Sequence, residues 1–168
     1  FIVEKGIEGF TVGKKEDKLG LRASDTCQIF FDNCKVSSKN MIGKQGEGFS
    51  IALNALRGGR IGIAAQALGL ARSALERSIE YSKERIQFGK KISQFGSIKN
   101  KLAEMATQIE AAELLTQNAS QLINQGKKMT KESAICKLFA SEACVSIANE
   151  AVQIFGGYGY SKEFPVEK

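Results

Sequence analysis

The stretch Ile98–Ile123, IKNKLAEMATQIEAAELLTQNASQLI, decides the fold because its apolar residues recur at alternating spacings of four and three. That period places them on one face of an α-helix. Residues 134–155 have the same period, and only residues 126–129 separate the two helices. Helices joined by so short a connection pack as antiparallel neighbours. The predicted stripes are Ile98, Leu102, Met105, Ile109, Ala112, Thr116, Ala119 and Ile123, and then Ala134, Leu138, Ser141, Val145, Ala148, Val152 and Phe155.

A longer helix, from about Phe49 to Glu84, is predicted ahead of these two. Its middle is apolar almost all the way round, so it needs partners on more than one side. These apolar residues are Ile61, Ile63, Ala64, Ala65, Ala67, Leu68, Leu70 and Ala71. The helix ends also carry signals: Gly126 is predicted to close the second helix. Thr130 is predicted to cap the third, with Glu132 in its first turn.

The first 45 residues favour strands and turns. Phe1–Val3 and Phe10–Val12 flank a turn at residues 6–9, and Thr26–Phe31 ends at the turn signal Asp32–Asn33. The fold class is therefore predicted to be mainly α, an antiparallel up-down helical bundle preceded by a short β segment.

Composition narrows the possible functions. There are 24 Lys and Arg against 18 Asp and Glu, a net charge of +6, but the lysines are spread without the interleaved aromatics that stack bases, so we expect solvated faces and no nucleic acid. No apolar run is long enough to span a membrane. The chain has four cysteines outside any CxxC pair and no histidine, which argues against a metal site and predicts reduced thiols.

Two segments indicate a ligand. Residues 153–160, QIFGGYGY, contain three glycines, and a backbone without Cβ atoms can approach a flat or charged molecule closely. The alternative is an ordinary glycine helix end. Residues 81–90, YSKERIQFGK, place Arg85 and Phe88 at the end of the long helix. A guanidinium can bind phosphate oxygens through two N–H groups, although an arginine is also favoured at a helix C-terminus by the dipole.

Five ordered blocks resemble the flavin-dependent acyl-CoA dehydrogenases, most closely the short-chain and short/branched-chain types. The blocks are Lys18-Leu19-Gly20 with Ser24 and Thr26; Gly43, Gly46, Gly48 and Phe49; Gly59-Arg60-Ile61; Tyr81, Arg85, Phe88 and Gly89; and Gln153–Tyr160 followed by Glu163 and Lys168. Family members are more than twice as long. The resemblance therefore implies a fragment, with residues 1–45 a remnant of the middle β domain and residues 46–168 an incomplete C-terminal helical bundle domain that lacks its last helix.

The resemblance implies an FAD site built from two segments. Arg85 matches the arginine that reaches the FAD pyrophosphate across a dimer interface, and Phe88 would pack against the dinucleotide. Gly96 stands where relatives have a glutamine that contacts FAD, so one hydrogen bond is lost or replaced. The strip that would receive the adenosine half of a partner subunit's FAD is Gln153, Ile154, Phe155, Gly156 and Gly157.

The resemblance also implies an acyl-CoA site along the first turns of the long helix. Arg60 would lie close to the pantetheine and nucleotide part of the ligand, and Phe49 would line the substrate. Glycines inside a helix cost about 1 kcal/mol each relative to alanine, which indicates a need for backbone access at Gly58 and Gly59. The alternative is a helix start that tolerates glycine between two solvated arginines. Arg57 departs from the Asp or Asn that relatives carry.

No catalytic residue is expected within the chain. In most of the family the carboxylate base lies after the position of Lys168, and in a minority it lies where this chain has Gly59, which cannot act as a base. We interpret Glu47, Glu84 and Glu163 as solvated carboxylates. The chain alone is therefore predicted to be inactive.

The parent protein is expected to oxidise short or short/branched acyl-CoA to trans-2-enoyl-CoA and to pass electrons to an electron-transfer flavoprotein. It is expected to be a homo-oligomer, a dimer of dimers, in the mitochondrial matrix of a eukaryote or the cytoplasm of a bacterium. Two alternatives stay open: an acyl-CoA oxidase or flavin monooxygenase of the same architecture, and a non-catalytic helical oligomerisation module.

Overall fold

The structure is a computed structural model that describes residues 1–167; Lys168, the last residue of the predicted fifth block, lies outside the described residues. The chain divides into two compact units, Phe1–Ala52 and a second that starts at Leu53. The predicted boundary after residue 45 concerns the domains of the whole protein and stays a prediction. No helix among the described residues is both long and apolar enough to cross a bilayer.

The first unit contains an antiparallel hairpin of β1 (Phe10–Lys15) and β2 (Cys27–Phe31). Phe10 lies opposite Phe31 with their rings stacked at 5.2 Å, and the register shifts between Val12 and Lys15. Thr26–Phe31 is thus confirmed as strand except for its first residue. Phe1–Val3 was predicted as a strand and is not one.

The N-terminal segment differs because its backbone pairs with a turn rather than with a strand. The Ile2 N–H donates to the Asn40 carbonyl at 2.8 Å, and the Asn40 side-chain amide donates back to the Ile2 carbonyl at 3.1 Å. Directly after β2, the predicted turn at Asp32–Asn33 is confirmed, with Asn33 in the left-handed region at φ 48°.

The second unit is a three-helix bundle. Its helices are α1 (Gly48–Glu84, which begins in the first unit), α2 (Gly96–Asn124) and α3 (Thr130–Phe155). A two-residue hairpin of β3 (Ile86–Gln87) and β4 (Lys90–Lys91) separates α1 from α2. With 37 residues, α1 is about 56 Å long at ~1.5 Å per residue.

Contacts between helix ends define the up-down-up order. Lys101 near the start of α2 forms an ion pair with Glu150 near the end of α3, so these two helices are antiparallel. Tyr81 near the end of α1 stacks on Phe155 at the end of α3, so α1 and α3 are parallel. The predicted helical bundle is confirmed, although Lys101, which the sequence suggested was solvated, is half-buried in this ion pair.

The core consists mainly of small apolar side chains from all three helices. The predicted α2 stripe is confirmed from Met105 to Ala119. On α1, Ala64, Ala67, Leu68 and Ala71 are buried, whereas Ile63 and Leu70 on the other side are exposed. Within the described residues, the predicted need for partners on a second side of α1 is therefore not met.

The predicted stripe on α3 is wrong, because Ala134, Leu138, Val145 and Ala148 are exposed. The buried face consists instead of Ser133, Cys136, Ala140, Ala143, Ile147, Ala151 and Ile154, and it shares only Phe155 with the predicted stripe. Small residues let the helix backbones approach closely, and this requirement outweighs the larger hydrophobicity of Leu138 and Val145. The Cys136 thiol donates to the Ser133 carbonyl at 3.3 Å, and burial raises the pKa of both Cys136 and Cys144.

The connection between α2 and α3 shows one correct and one wrong prediction of a helix end. Gly126 closes α2 at φ 66°, with its N–H donating to Ile123 and the Lys127 N–H donating to Leu122, the two hydrogen bonds of a Schellman motif. Thr130 does not cap α3. It is the first helical residue, and the cap is Met129, whose carbonyl accepts from the Ser133 N–H at 2.8 Å.

Truncation of Ile147 to alanine tests the corrected face of α3. Ile147 is 1% exposed, so Ile147→Ala should lower the free energy of unfolding by about 2–5 kcal/mol through lost burial and a residual cavity. Ile135 is 40% exposed on the same helix, and Ile135→Ala should change stability by under ~1 kcal/mol. Urea unfolding of the 168-residue chain, followed by circular dichroism, measures both. Equal losses would contradict the assigned face.

Candidate functional site

The candidate site forms where α1 and α3 end side by side. The Arg85 N–H donates to the Tyr81 carbonyl at 2.9 Å, which extends the last turn of α1 by one hydrogen bond. The Arg85 carbonyl then accepts from the Ile92 N–H at 2.9 Å and closes the base of the β3–β4 hairpin. Both backbone groups of Arg85 are thus fixed, and its position is set by the helix and the hairpin together.

An aromatic cluster joins the two helix ends. The rings of Tyr81 and Phe155 stack with centroids 4.1 Å apart and planes 11° apart. The Tyr81 hydroxyl also donates to the Phe155 carbonyl at 3.4 Å. Phe164, beyond the end of α3, packs edge-on against both rings at 6.1 and 5.9 Å, and its ring is tilted against Tyr158 at 4.9 Å. We call Tyr81, Phe155, Tyr158 and Phe164 the aromatic cluster.

A cavity of about 450 Å³ opens beside this cluster. It brings together five of the seven residues predicted for the cofactor, and their role in binding stays a prediction. Four further residues complete the lining. The predicted ones are Arg85, Ile154, Phe155, Gly156 and Gly157, and the others are Tyr81, Gln87, Ile92 and Tyr158.

Two predicted cofactor residues do not line the cavity. Phe88 is 92% exposed in the two-residue turn between β3 and β4, and its ring meets Phe95 edge-on at 6.3 Å. Phe88 and the next residue, Gly89, both have positive φ, at 51° and 77°. Gln153 is exposed on α3. Within the described residues, both side chains are open to solvent, so either could contact only a molecule that approaches from outside.

The three glycines after α3 have three different roles. Gly156 ends the helix at φ 61° and ψ −134°, a conformation that side chains disfavour. Gly159 is buried, and a Cβ there would collide with the backbone carbonyl of Val152. Neither the backbone conformation nor the packing requires glycine at position 157, since its φ is not positive and a Cβ would meet nothing within 4 Å. Gly157 therefore leaves free backbone surface at the cavity.

The electrostatics of the cavity centre on Arg85, a half-buried cation. Among residues 1–167 it forms no salt bridge and no side-chain hydrogen bond; its guanidinium carbon lies 5.0 Å from the centroid of the Tyr158 ring. Burial raises the pKa of Tyr81, and the nearby charge of Arg85 partly opposes this. A cation without a carboxylate partner, beside open glycine backbone, can bind an anionic group that also has a flat part.

Sequence reasoning missed Tyr81 and Tyr158, although both lay inside the segments quoted. Tyr81 precedes Arg85 by four residues, and this spacing puts the two on one face of a helix. The sequence therefore contained that signal. Ile92 and Tyr158 carried no such signal, because a hairpin of two-residue strands and a five-residue 3-10 turn bring them to the cavity, and both elements are too short to show a side-chain period.

The predicted acyl-CoA residues lie along the first part of α1. Phe49 is 77% exposed in the first turn, within the first compact unit. Arg57 and Arg60 are half-buried, and Arg57 donates to Asn54 Oδ1 at 2.7 Å. Added Cβ atoms at Gly58 and Gly59 would meet nothing within 4 Å. Packing within residues 1–167 therefore does not require these two glycines.

Comparison with known proteins finds acyl-CoA dehydrogenases that match this chain along its whole length. The family model for the acyl-CoA dehydrogenase C-terminal domain matches residues 46–168. An acyl-CoA dehydrogenase of Bacillus subtilis is 54% identical over 168 residues, which are 100% of this chain and 44% of that protein. The structure of butyryl-CoA dehydrogenase from Megasphaera elsdenii matches with a TM-score of 0.96 at 53% identity, over 99% of this chain and 44% of that one.

A third match is a chain from a structure of the electron transferring flavoprotein of Acidaminococcus fermentans. It has a TM-score of 0.96 and 50% identity, and it covers 99% of this chain and 44% of its own length. The chain described here thus spans less than half of the relatives that it matches. The resemblance seen in the five sequence blocks is confirmed, and the chain belongs to the acyl-CoA dehydrogenase family.

Proposed function

We propose that the whole protein is an FAD-dependent acyl-CoA dehydrogenase that oxidises short or short/branched acyl-CoA to trans-2-enoyl-CoA. One observation carries the proposal: in a chain of this family, half-buried Arg85 has no carboxylate partner among residues 1–167 and lines a cavity together with open glycine backbone. The 53% identity to the butyryl-CoA dehydrogenase of M. elsdenii supports a short-chain substrate.

The residues of the cavity fit one half of an FAD site. Arg85 offers a positive charge and several N–H donors, which suit a diphosphate. Gly156 and Gly157 expose backbone, and no side chain there would obstruct a flat group. When bound, FAD supplies the electron acceptor of the oxidation. The task of this chain's residues is to bind and orient that cofactor, and Gln153 and Phe88, both exposed, are proposed as outer contacts.

The acyl-CoA contacts are proposed on α1. Arg60 offers a half-buried positive charge for the phosphate-bearing part of CoA, and Gly58 and Gly59 offer open helix surface. Arg57 is held by Asn54, so its guanidinium is partly engaged before any ligand arrives. Phe49, exposed in the first unit, is proposed separately as a contact to the acyl part.

An electron-transfer flavoprotein is proposed as the partner that receives the electrons. The match to a chain from the A. fermentans electron transferring flavoprotein structure supports this. Ile63 and Leu70, exposed on α1, support a homo-oligomer, proposed as a dimer of dimers. The cysteines are all free in the structure. Free thiols fit a reducing compartment, and we propose the mitochondrial matrix or bacterial cytoplasm.

The activity itself gives the first prediction for the full-length protein. Under anaerobic conditions, butyryl-CoA should bleach the absorbance of the bound flavin, and an added electron-transfer flavoprotein should restore it because it withdraws the electrons. Stopped-flow absorbance measures both phases. A flavin that butyryl-CoA leaves fully oxidised would refute the proposed reaction, and rapid reoxidation by oxygen alone would indicate an oxidase.

Replacement of Arg85 tests the cofactor assignment. Arg85→Ala should remove a charge-assisted contact of about 1.5–3 kcal/mol and weaken FAD binding roughly tenfold or more. Fluorescence titration of FAD into the full-length apoprotein measures the dissociation constant. Arg77→Ala is the matched control, because Arg77 is an exposed arginine on the same helix that does not line this cavity. If Arg85→Ala binds FAD like the wild type, the cofactor assignment is wrong, and Arg85 only stabilises the C-terminus of α1 through the helix dipole.

Replacement of Arg60 separates substrate from cofactor. Arg60→Ala should leave FAD bound and should raise the Michaelis constant for acyl-CoA, because a contact to a remote part of a ligand stabilises ground state and transition state equally. Steady-state kinetics with butyryl-CoA, run beside the FAD titration, measures both quantities. An unchanged Michaelis constant, or loss of flavin, would contradict the assignment of Arg60 to the substrate.

A further inference from the structure

The contact between Arg85 and Tyr158 is the basis of a further inference. The guanidinium carbon lies 5.0 Å from the centroid of the Tyr158 ring, within the distance of about 6 Å at which a cation is attracted to an aromatic face. No salt bridge or side-chain hydrogen bond holds the guanidinium within the described part of the chain. The ring of Tyr158 is therefore the charge-sensitive contact that fixes where this side chain rests.

Tyr158 is itself held in place from two directions. Its ring packs against Phe164 at 4.9 Å, and Phe164 packs edge-on against Tyr81 and Phe155. Its backbone lies in the 3-10 turn Gly156–Tyr160. The next residue, Gly159, approaches the carbonyl of Val152 so closely that a Cβ would not fit. The turn and the aromatic cluster together set the plane on which the guanidinium lies.

An aromatic ring can hold Arg85 in place without neutralising its charge, whereas a carboxylate would neutralise it. A carboxylate would neutralise the positive charge and accept hydrogen bonds from the guanidinium N–H groups. A ring attracts the cation through the negative potential of its face, so the charge and the N–H donors stay available. An anionic ligand in the cavity requires both. Tyr158 is 44% exposed, and its hydroxyl forms none of the side-chain hydrogen bonds found within residues 1–167.

We propose that Tyr158 is a positioning residue that holds the Arg85 guanidinium ready for the diphosphate of FAD through its ring face, without needing its hydroxyl. This rests on the proposed function, in which Arg85 binds FAD. Tyr158 acts through Arg85, so its contribution disappears when Arg85 is absent. This dependence on Arg85 separates the proposal from a general effect of the aromatic cluster on stability.

A double-mutant cycle in the full-length apoprotein, read as the dissociation constant of FAD by flavin fluorescence, tests the proposal. Tyr158→Leu should weaken binding about threefold to tenfold, the range of a partly desolvated cation–π contact. Tyr158→Phe should bind like the wild type because the ring face is kept. In the Arg85→Ala background, Tyr158→Leu should cause no further loss. Tyr160→Leu, an exposed tyrosine with no aromatic contact in the described chain, is the matched control and should bind normally.

A second variant keeps the test decisive if Tyr158→Leu does not fold. Pentafluorophenylalanine at position 158 has nearly the shape of phenylalanine but reverses the charge distribution of the ring, so it should weaken FAD binding relative to Tyr158→Phe. Equal binding by these two, or a Tyr158→Leu loss that persists in full without Arg85, would overturn the positioning role. If Arg85→Ala itself binds FAD normally, the proposed cofactor site fails instead, and the two failures are thus distinguishable.

Discussion

The stack of Tyr81 on Phe155 is the contact on which the rest of the candidate site depends. It joins the end of α1 to the end of α3 with ring centroids 4.1 Å apart, and the Tyr81 hydroxyl adds a hydrogen bond to the α3 backbone. Arg85 continues one helical turn beyond Tyr81, and Gly156 directly follows Phe155. A fixed stack therefore fixes the distance between the backbone of Arg85 and the glycine backbone. The bundle core beneath the stack holds α1 and α3 parallel, so Arg85 and Gly156 lie side by side without any ligand.

Much of the fold could be predicted from the sequence because long helices repeat a signal many times. Eight stripe positions, seven of them apolar, define α2, and a misjudged residue at one of them would not have changed the predicted position of the helix. The Schellman end at Gly126 was also predictable, since few residues besides glycine adopt its positive φ. Even the limits of α1 were predicted to within a residue. The family resemblance added the order of the functional segments, which periodicity alone does not contain.

The wrong predictions come from places where tertiary contacts overrule local patterns. On α3, two faces have helical spacing, and the larger residues Leu138 and Val145 favoured the wrong one. The buried face is chosen by close helix packing, which Ala140 and Ala143 permit. The N-terminal strand failed because Ile2 finds its hydrogen-bond partner in Asn40, 38 residues away. In the site, Ile92 and Tyr158 reach the cavity through a hairpin and a 3-10 turn, and no sequence period reports such geometry.

The turn at Phe88–Gly89 is less stable than its sequence could make it, and in exchange it exposes a large apolar side chain. Two-residue hairpin turns with positive φ at both positions favour Asn-Gly, and a bulky residue in the first of these costs on the order of 1–3 kcal/mol. Phe88 bears this cost while 92% of its surface faces solvent, so the ring gains little burial in return. An engineer who optimised this hairpin for thermostability would replace Phe88 by asparagine. That more stable turn would lack the large apolar side chain at the tip of the hairpin, which is proposed as an outer contact to FAD. Position 88 is therefore a poor choice for stabilising mutations.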